Sequence, residues 1–138
     1  MNTITAGEML GFHNDLYQMC KRFIKNHLNN ESYTVEELQK EFTYSVYENF
    51  ANWDSMLDKP IITTHRINLL LDIILQKEFD TLVDVSAYIR LLVDELKCLI
   101  KQLKGYKSKD IISDVQLTTL NDTPQILEEL KLTLTLFN

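Results

Sequence analysis

The sequence predicts an all-α protein, a single domain over residues 1–138 built as a bundle of four principal helices. The chain has only three Gly and two Pro in 138 residues, and these are the residues that most often form turns and hairpins. Between them, apolar residues recur three and four positions apart over long stretches, which is the period of a helix buried on one side. A chain of this length buries a core without disulfides or metal ions.

The first helix is predicted from Ala6 to Asn29. Thr5 and Glu8 have the spacing of a capping box, in which each side chain binds a free backbone N–H at the helix start. The Asn29-Asn30 pair is a suitable stop. At 100° per residue, one face of this helix carries its apolar residues together with two histidines and a cysteine. That face comprises Met9, His13, Leu16, Cys20, Phe23, Ile24 and His27.

The second helix is predicted to begin at Thr34, which forms a second capping-box pair with Glu37. Its buried stripe contains three of the chain's 13 aromatic residues and could reach Leu57. Pro60 ends the helix or forces an extended step just before it. The stripe comprises Leu38, Phe42, Val46, Phe50 and Trp53.

The third helix is predicted after Thr63 or Thr64 and runs from Arg66 to Phe79. Its segment Ile67–Leu75 is apolar almost all round, as in a helix surrounded by others, so we place it at the centre of the bundle. A buried strand is the alternative, because periodicity alone does not assign a short apolar run.

The fourth helix is predicted to begin near Asp80 or Thr81. Gly105 occupies the position of a glycine C-cap, and Lys97, Lys101 and Lys104 suit the negative end of the helix dipole. The apolar stripe of this helix is the broadest in the chain. It comprises Leu82, Val85, Ile89, Leu92, Val93, Leu96, Leu99, Ile100 and Leu103.

The tail has two interpretations. Thr123-Pro124 indicates an N-cap followed by proline at the first helical position, which favours a helix to about residue 132. Alternation with period two over residues 131–136 is instead a strand signal, and residues 115–120 could pair with it. Both interpretations stay open.

The sequence carries no signal for secretion or membrane insertion. Residues 1–12 lack the basic flank and the apolar core of a signal peptide. The most apolar stretches, Ile67–Leu75 and Leu82–Leu103, are too short or too charged to span a bilayer. We therefore expect a cytoplasmic protein in which Cys20 and Cys98 are reduced thiols.

The charges are segregated along the chain, whose net charge is −6. Residues 31–58 contain seven acids and one base, and residues 97–109 contain five lysines and no acid. Without a general basic face, duplex nucleic acid is a poor default partner. Helix capping and a solvated loop account for the lysine run, with contact to a phosphate or an acidic partner as the alternative.

Most catalytic and metal-binding motifs are absent from the sequence, including glycine-rich phosphate loops, Cys-x-x-Cys and His-Glu-x-x-His. His13, Cys20 and His27 are spaced by seven, so neighbours in this stripe lie about 10 Å apart along a helix. Zinc ligands lie only about 2.0–2.3 Å from their metal, so these side chains cannot share one ion. We interpret them as two hydrogen-bonded histidines flanking a buried thiol, and we predict no metal, no cofactor and no catalytic residue.

One short motif points to an enzyme. Residues 22–27 form an Arg-x4-His sequence that resembles the active-site motif of the HEPN ribonucleases, small helical bundles that cleave RNA without metal, usually as dimers. The resemblance covers six residues. It implies that Arg22 and His27 are the phosphate-binding and acid–base pair and that they converge with their symmetry mates across a dimer.

The second helix is both acidic and aromatic. Tyr44 and Tyr47 project roughly 120–180° away from its buried stripe. Tyrosine is enriched at protein-binding hot spots, and surrounding acids steer a basic partner towards them. In the alternative interpretation the C-terminal segment covers this face, or the tyrosines extend a wide apolar stripe. The predicted binding residues are Tyr44, Tyr47, Glu37, Glu41, Glu48 and Asp54.

These features favour a non-catalytic protein-binding module of the inhibitor, immunity-protein, antitoxin or viral and phage host-interaction type. The HEPN-like ribonuclease is one alternative. The other is a structural subunit of a larger assembly, which requires an exposed apolar patch, most plausibly on the third helix or the tail. Association of the chain with itself stays open.

Overall fold

The computed structural model describes residues 4–28, 32–50 and 64–112. Over these ranges the protein is an all-α bundle of four helices with one short strand pair, which confirms the predicted fold class. The segment Ile67–Leu75 is helical, so its interpretation as a buried strand is wrong. The elements are β1 (Ile4–Thr5), α1 (Ala6–His27), α2 (Val35–Asn49), α3 (His65–Gln76), α4 (Leu82–Leu103) and β2 (Ile111–Ile112).

Each helix in the described ranges begins after a threonine whose side chain accepts a hydrogen bond from the backbone N–H three residues later. The N-caps are Thr5, Thr34, Thr64 and Thr81. At Thr34 the predicted capping box is complete, because its backbone N–H donates to Glu37 Oε1 at 3.1 Å and the Glu37 N–H donates to its hydroxyl at 3.1 Å. At Thr5 the hydroxyl itself donates to the Glu8 carboxylate at 2.8 Å.

The helix ends differ more from the prediction than the starts. The α2 helix stops at Asn49, and Phe50 takes φ −131° and ψ 79°, so continuation of the helix towards Trp53 is wrong. Trp53, Leu57 and Pro60 lie outside the described residues. The first helix ends at His27 rather than Asn29, with Leu28 as its C-cap.

The α3 helix ends earlier than predicted, and a side chain from α2 binds its last carbonyls. The helix stops at Gln76, three residues before the predicted Phe79, and Lys77 is extended. The amide of Gln39, on α2, donates to the carbonyls of Ile74 at 3.0 Å and Lys77 at 2.7 Å. Carbonyls at a helix end need partners from outside the helix, and here α2 supplies them.

Gly105 directly follows Lys104, the C-cap of α4, so its predicted position at the helix end is confirmed, but it lacks the left-handed conformation of a glycine cap. None of the described glycines has a positive φ, so Gly105 does not use its conformational freedom. Instead, the N–H groups of Gly105 and Tyr106 donate to the carbonyls of Gln102 and Leu103 at 3.1 Å each. These i→i−3 bonds tighten the last turn and provide partners for its carbonyls.

The central element of the described bundle is α4, not the third helix. The α4 helix packs against α1, α2 and α3, whereas α3 packs mainly on α4 and α2. Length explains the difference: α4 has 22 residues and α3 has 12, which correspond to about 33 Å and 18 Å. The α4 residues buried in the core are Val85, Tyr88, Ile89, Leu92, Leu96, Leu99, Ile100 and Leu103.

Strands β1 and β2 are antiparallel and join the start of α1 to the loop after α4, with Ile4 opposite Ile112 and Thr5 opposite Ile111. The loop continues this pairing, because the N–H groups of Ala6 and Gly7 donate to the carbonyls of Asp110 at 2.7 Å and Ser108 at 2.9 Å. Those N–H groups have no partner within the helix itself. The strand pair predicted in the tail lies outside the described residues.

No helix in the described ranges has both the length and the apolar character needed to cross a membrane.

Candidate protein-binding site on helix α2

Two tyrosines of α2 face the solvent. Tyr44 is 69% exposed and Tyr47 is 43% exposed, and every other aromatic side chain in the described ranges is buried or half-buried. The cause is helical periodicity: Leu38, Phe42 and Val46 are buried, so residues on the opposite side of the helix project outwards.

Exposed carboxylates border the tyrosines. Glu41 and Glu48 are exposed, and they lie three residues before and four residues after Tyr44, the spacings at which helical side chains are neighbours. The Glu37 carboxylate is also exposed, but it accepts the backbone N–H of Thr34 in the capping box. Asp54 lies outside the described residues.

A shallow depression of about 770 Å³ adjoins the tyrosines and is lined by Lys40, Thr43, Tyr44, Tyr47 and Glu48. Sequence reasoning missed Lys40 and Thr43, although they lie four residues before Tyr44 and Tyr47 respectively, a spacing that makes helical side chains neighbours. Aromatic faces attract cations and carboxylates accept hydrogen bonds from lysine and arginine. The depression therefore combines three side chains that attract positive charge, those of Tyr44, Tyr47 and Glu48, with one lysine that repels it.

In the histidine–cysteine stripe of α1, His13 and Cys20 are buried and His27 is half-buried. His13 is fully buried and its Nδ1 lies 2.7 Å from the carbonyl oxygen of Met9. Burial lowers the pKa of His13 to about 4, partly offset by that hydrogen bond. Burial also raises the pKa of the Cys20 thiol to about 12, which disfavours the reactive thiolate. In the described ranges no three histidine, cysteine or acidic side chains cluster around a common metal position.

Arg22 and His27 contact opposite ends of α2. Nδ1 of His27 lies 3.0 Å from the Tyr33 hydroxyl, just before the helix starts, and its ring lies 4.6 Å from that of Phe23. Arg22 instead donates to Asn49 Oδ1, at the last residue of α2, at 3.4 Å. Five residues along a helix separate side chains by about 140° and 7.5 Å, so within one chain the two groups point apart.

The lysine run has the exposure expected of a solvated surface. Cys98 beside it is also exposed. The exposed lysines are Lys97, Lys101, Lys104, Lys107 and Lys109.

Few large hydrophobic residues are exposed in the described ranges. Apart from the two tyrosines they are Val83 and Ile111, and neither is on α3.

Comparison with protein-family models, with curated proteins and with solved structures finds no match for this chain.

Proposed function

We propose that this protein is a non-catalytic binding module and that the α2 face formed by Tyr44, Tyr47, Glu41 and Glu48 binds a partner protein with a basic surface. The observation that supports it most is that the only exposed aromatic side chains in the described ranges are adjacent, on one helix face. Such a module works by occupying its partner, as inhibitors, immunity proteins, antitoxins and viral host-interaction factors do.

The two residue types have different roles in the proposed complex. Tyrosine rings supply large, rigid contact area, and burying one at an interface centre contributes about 2 kcal/mol or more as measured by alanine substitution. A partner arginine or lysine over an exposed ring adds about 0.5–1 kcal/mol. The carboxylates at the rim act mainly on the association rate and on specificity, because they attract basic surfaces and repel acidic ones.

The proposal is tested by selecting displayed random peptides on the immobilised protein. We expect wild-type protein to enrich sequences rich in lysine and arginine. The same selection on Tyr44→Ala/Tyr47→Ala should lose that enrichment. The matched control is Val83→Ala/Ile111→Ala, which removes exposed apolar side chains elsewhere and should leave the enriched sequences unchanged.

Measured affinities of the selected peptides then separate the roles. The double tyrosine variant should bind at least 30-fold more weakly, which corresponds to about 2 kcal/mol, while the change at Tyr44, the more exposed ring, costs about 0.5 kcal/mol or less in stability. Glu41→Gln/Glu48→Gln should weaken the salt dependence of association, and Asp15→Asn/Asp94→Asn is its control. Unaltered affinity in the tyrosine variant would remove this face from the interface, and a large fall in its melting temperature would show that both rings belong to the core.

A further inference from the structure

A second depression lies beside the first, where the N-terminal half of α2 meets the connection between α3 and α4. It measures about 820 Å³, and its lining includes Glu36, Lys40, Thr43, Leu75, Phe79 and Asp80. Half of these residues come from α2 and half from the end of α3 and the following loop. The loop therefore builds one wall of a groove whose other wall is α2.

The two depressions adjoin each other, because Lys40 and Thr43 border both. Glu36, Lys40, Thr43 and Tyr47 are spaced by four, three and four residues, so they lie on a single stripe of α2. From Glu36 to Tyr47 the stripe is about 17 Å long. We call the surface of the two adjoining depressions the α2 channel, and an extended peptide of about five residues spans this length.

The wall of the α2 channel is held in place by polar contacts to α2 and the core. The two hydrogen bonds from the Gln39 amide to Ile74 and Lys77 tie the end of α3 to α2. The Lys77 ammonium lies 5.6 Å from the ring centre of Phe79 and 5.5 Å from that of Tyr88. A preformed wall lowers the ordering cost of binding.

Charge alternates along the α2 channel. Glu36, Glu78 and Asp80 line the end beside the α3–α4 connection together with one base, Lys77. The Lys77 ammonium lies against the rings of Phe79 and Tyr88, and three acids against one base leave this end acidic. Lys40 borders both halves, and Glu48 lines the far end with the two tyrosines. A ligand that matches this surface has positive charge at its ends and negative charge near its centre.

We propose that the α2 channel binds an extended segment of the partner, about five residues long, with lysine or arginine at both ends and an acidic residue at the centre. This proposal rests on the proposed function, since one end of the channel is the Tyr44–Tyr47 face. The order of charges gives specificity beyond net charge, because Lys40 repels a base at the centre of the peptide and attracts an acid there.

The test uses fluorescently labelled synthetic peptides and the full chain, with affinity measured by anisotropy at low ionic strength. The first peptide has arginines at both ends and aspartate at its centre. The second has the same composition with aspartate moved to one end, and the third has lysine at the centre. We expect the first peptide to bind at least tenfold more tightly than either of the others.

Two variants locate the peptide in the channel. Lys40→Glu should reverse the preference, so that the peptide with central lysine binds at least tenfold more tightly than the one with central aspartate. Glu78→Gln/Asp80→Asn, which changes only the end beside the α3–α4 connection, should weaken the first peptide five- to tenfold. The control Asp15→Asn/Asp94→Asn neutralises two exposed acids outside the channel and should leave its affinity unchanged.

The outcomes distinguish this inference from the proposed function. In one outcome, charge order has no effect and Glu78→Gln/Asp80→Asn binds normally, while Tyr44→Ala/Tyr47→Ala still abolishes binding. The channel inference is then wrong, and binding at the tyrosine face remains supported. If the tyrosine variant keeps full affinity and the order-dependence persists, the tyrosine face is wrong. Failure of all three peptides to bind would overturn the channel inference.

Discussion

At the scale of single residues, His13 is the side chain whose chemistry the fold changes most clearly. It lies among apolar neighbours of α1, and its Nδ1 is 2.7 Å from the Met9 carbonyl oxygen. With a pKa of about 4, the ring is neutral at pH 7 and carries one proton. That proton is on Nδ1, because the carbonyl oxygen beside it can only accept a hydrogen bond. The hydrogen bond lies within one helix and satisfies a buried polar group without a charge.

The buried His13 makes stability depend on pH. Its folded pKa of about 4 is below its ordinary value of 6.5, so between these values the unfolded chain takes up a proton that the folded chain does not. The free energy of unfolding therefore falls as pH falls through this window. Between pH 7 and pH 5 the wild type should lose about 2 kcal/mol more than His13→Gln in urea unfolding. Parallel losses in both proteins would show that this histidine is not responsible.

Two glycines of α1 have opposite surroundings. A Cβ built on Gly7 would overlap Ser108 Oγ and lie 3.0 Å from the Ser108 carbonyl oxygen, whereas one on Gly11 meets nothing within 4 Å. The loop after α4 approaches α1 closely at Gly7, where the backbone N–H donates to that same carbonyl.

Alanine at these two positions should therefore have opposite effects. Gly7→Ala should lower the free energy of unfolding by about 1–3 kcal/mol through overpacking. Gly11→Ala should raise it by up to about 1 kcal/mol, because alanine favours the helix and fills open space. Thermal unfolding of both variants makes the comparison, and adding Ser108→Ala to the first should recover part of its loss. A neutral Gly7→Ala would mean that the loop moves away at no cost.

At the scale of elements, an ion pair joins α3 to α4. The Arg66 guanidinium contacts the Glu95 carboxylate, and the two side chains are only 15% and 9% exposed. A buried pair of this kind is costly to break from one side, because the remaining charge is left in a poorly solvated position.

Removing one partner should therefore cost far more than removing both. Glu95→Leu alone should destabilise the protein by about 3–5 kcal/mol, whereas Arg66→Met/Glu95→Leu should lie within about 1–2 kcal/mol of the wild type. Chemical denaturation of the single and double variants measures the difference. If the single and the double variant lost equal stability, the ion pair with Arg66 would not be the main interaction of Glu95.

The strand pair is short, yet it closes the core at one end. Ile112 is fully buried and the preceding Ile111 is 59% exposed. Ile112→Ala should cost about 2–5 kcal/mol because it leaves a cavity, and its neighbour provides the control, since Ile111→Ala should change stability by about 0.5 kcal/mol or less. The measurement is the urea midpoint of each variant, and similar midpoints would show that β2 does not anchor the core.

At the scale of the whole molecule, α4 connects the bundle by packing against each of the other described helices. The strand pair then joins the first described residues to the last ones, at Ile4 and Ile112. Helices that share one core through a common partner are expected to unfold together.

Circular dichroism tests this architecture directly. The far-ultraviolet spectrum should be predominantly helical, and thermal unfolding followed at 222 nm and in the near ultraviolet should give one coincident transition. A strand-dominated spectrum would contradict the fold. Two separated transitions would contradict a single core organised by α4.

Local patterns predicted the parts of this fold that depend on residues close in sequence. The four N-caps lie among the residues that the sequence indicated, because a threonine cap binds an N–H three residues away. The same holds for the projection of Tyr44 and Tyr47, since a helical wheel needs only the buried stripe of α2 as its reference. Helix ends were predicted less well: α3 stops where Gln39 from α2 meets its last carbonyls.

By itself, then, the sequence determined the fold class, the helix starts and the outward face of α2, since backbone hydrogen bonding and helical periodicity act over a few residues. Only the tertiary structure decided that α4 is central, that Ile4–Thr5 pairs with Ile111–Ile112, and that the α3–α4 connection lines a depression together with α2. These features bring together residues distant in the chain. Their partners are selected by packing around the shared core, which no short sequence window contains.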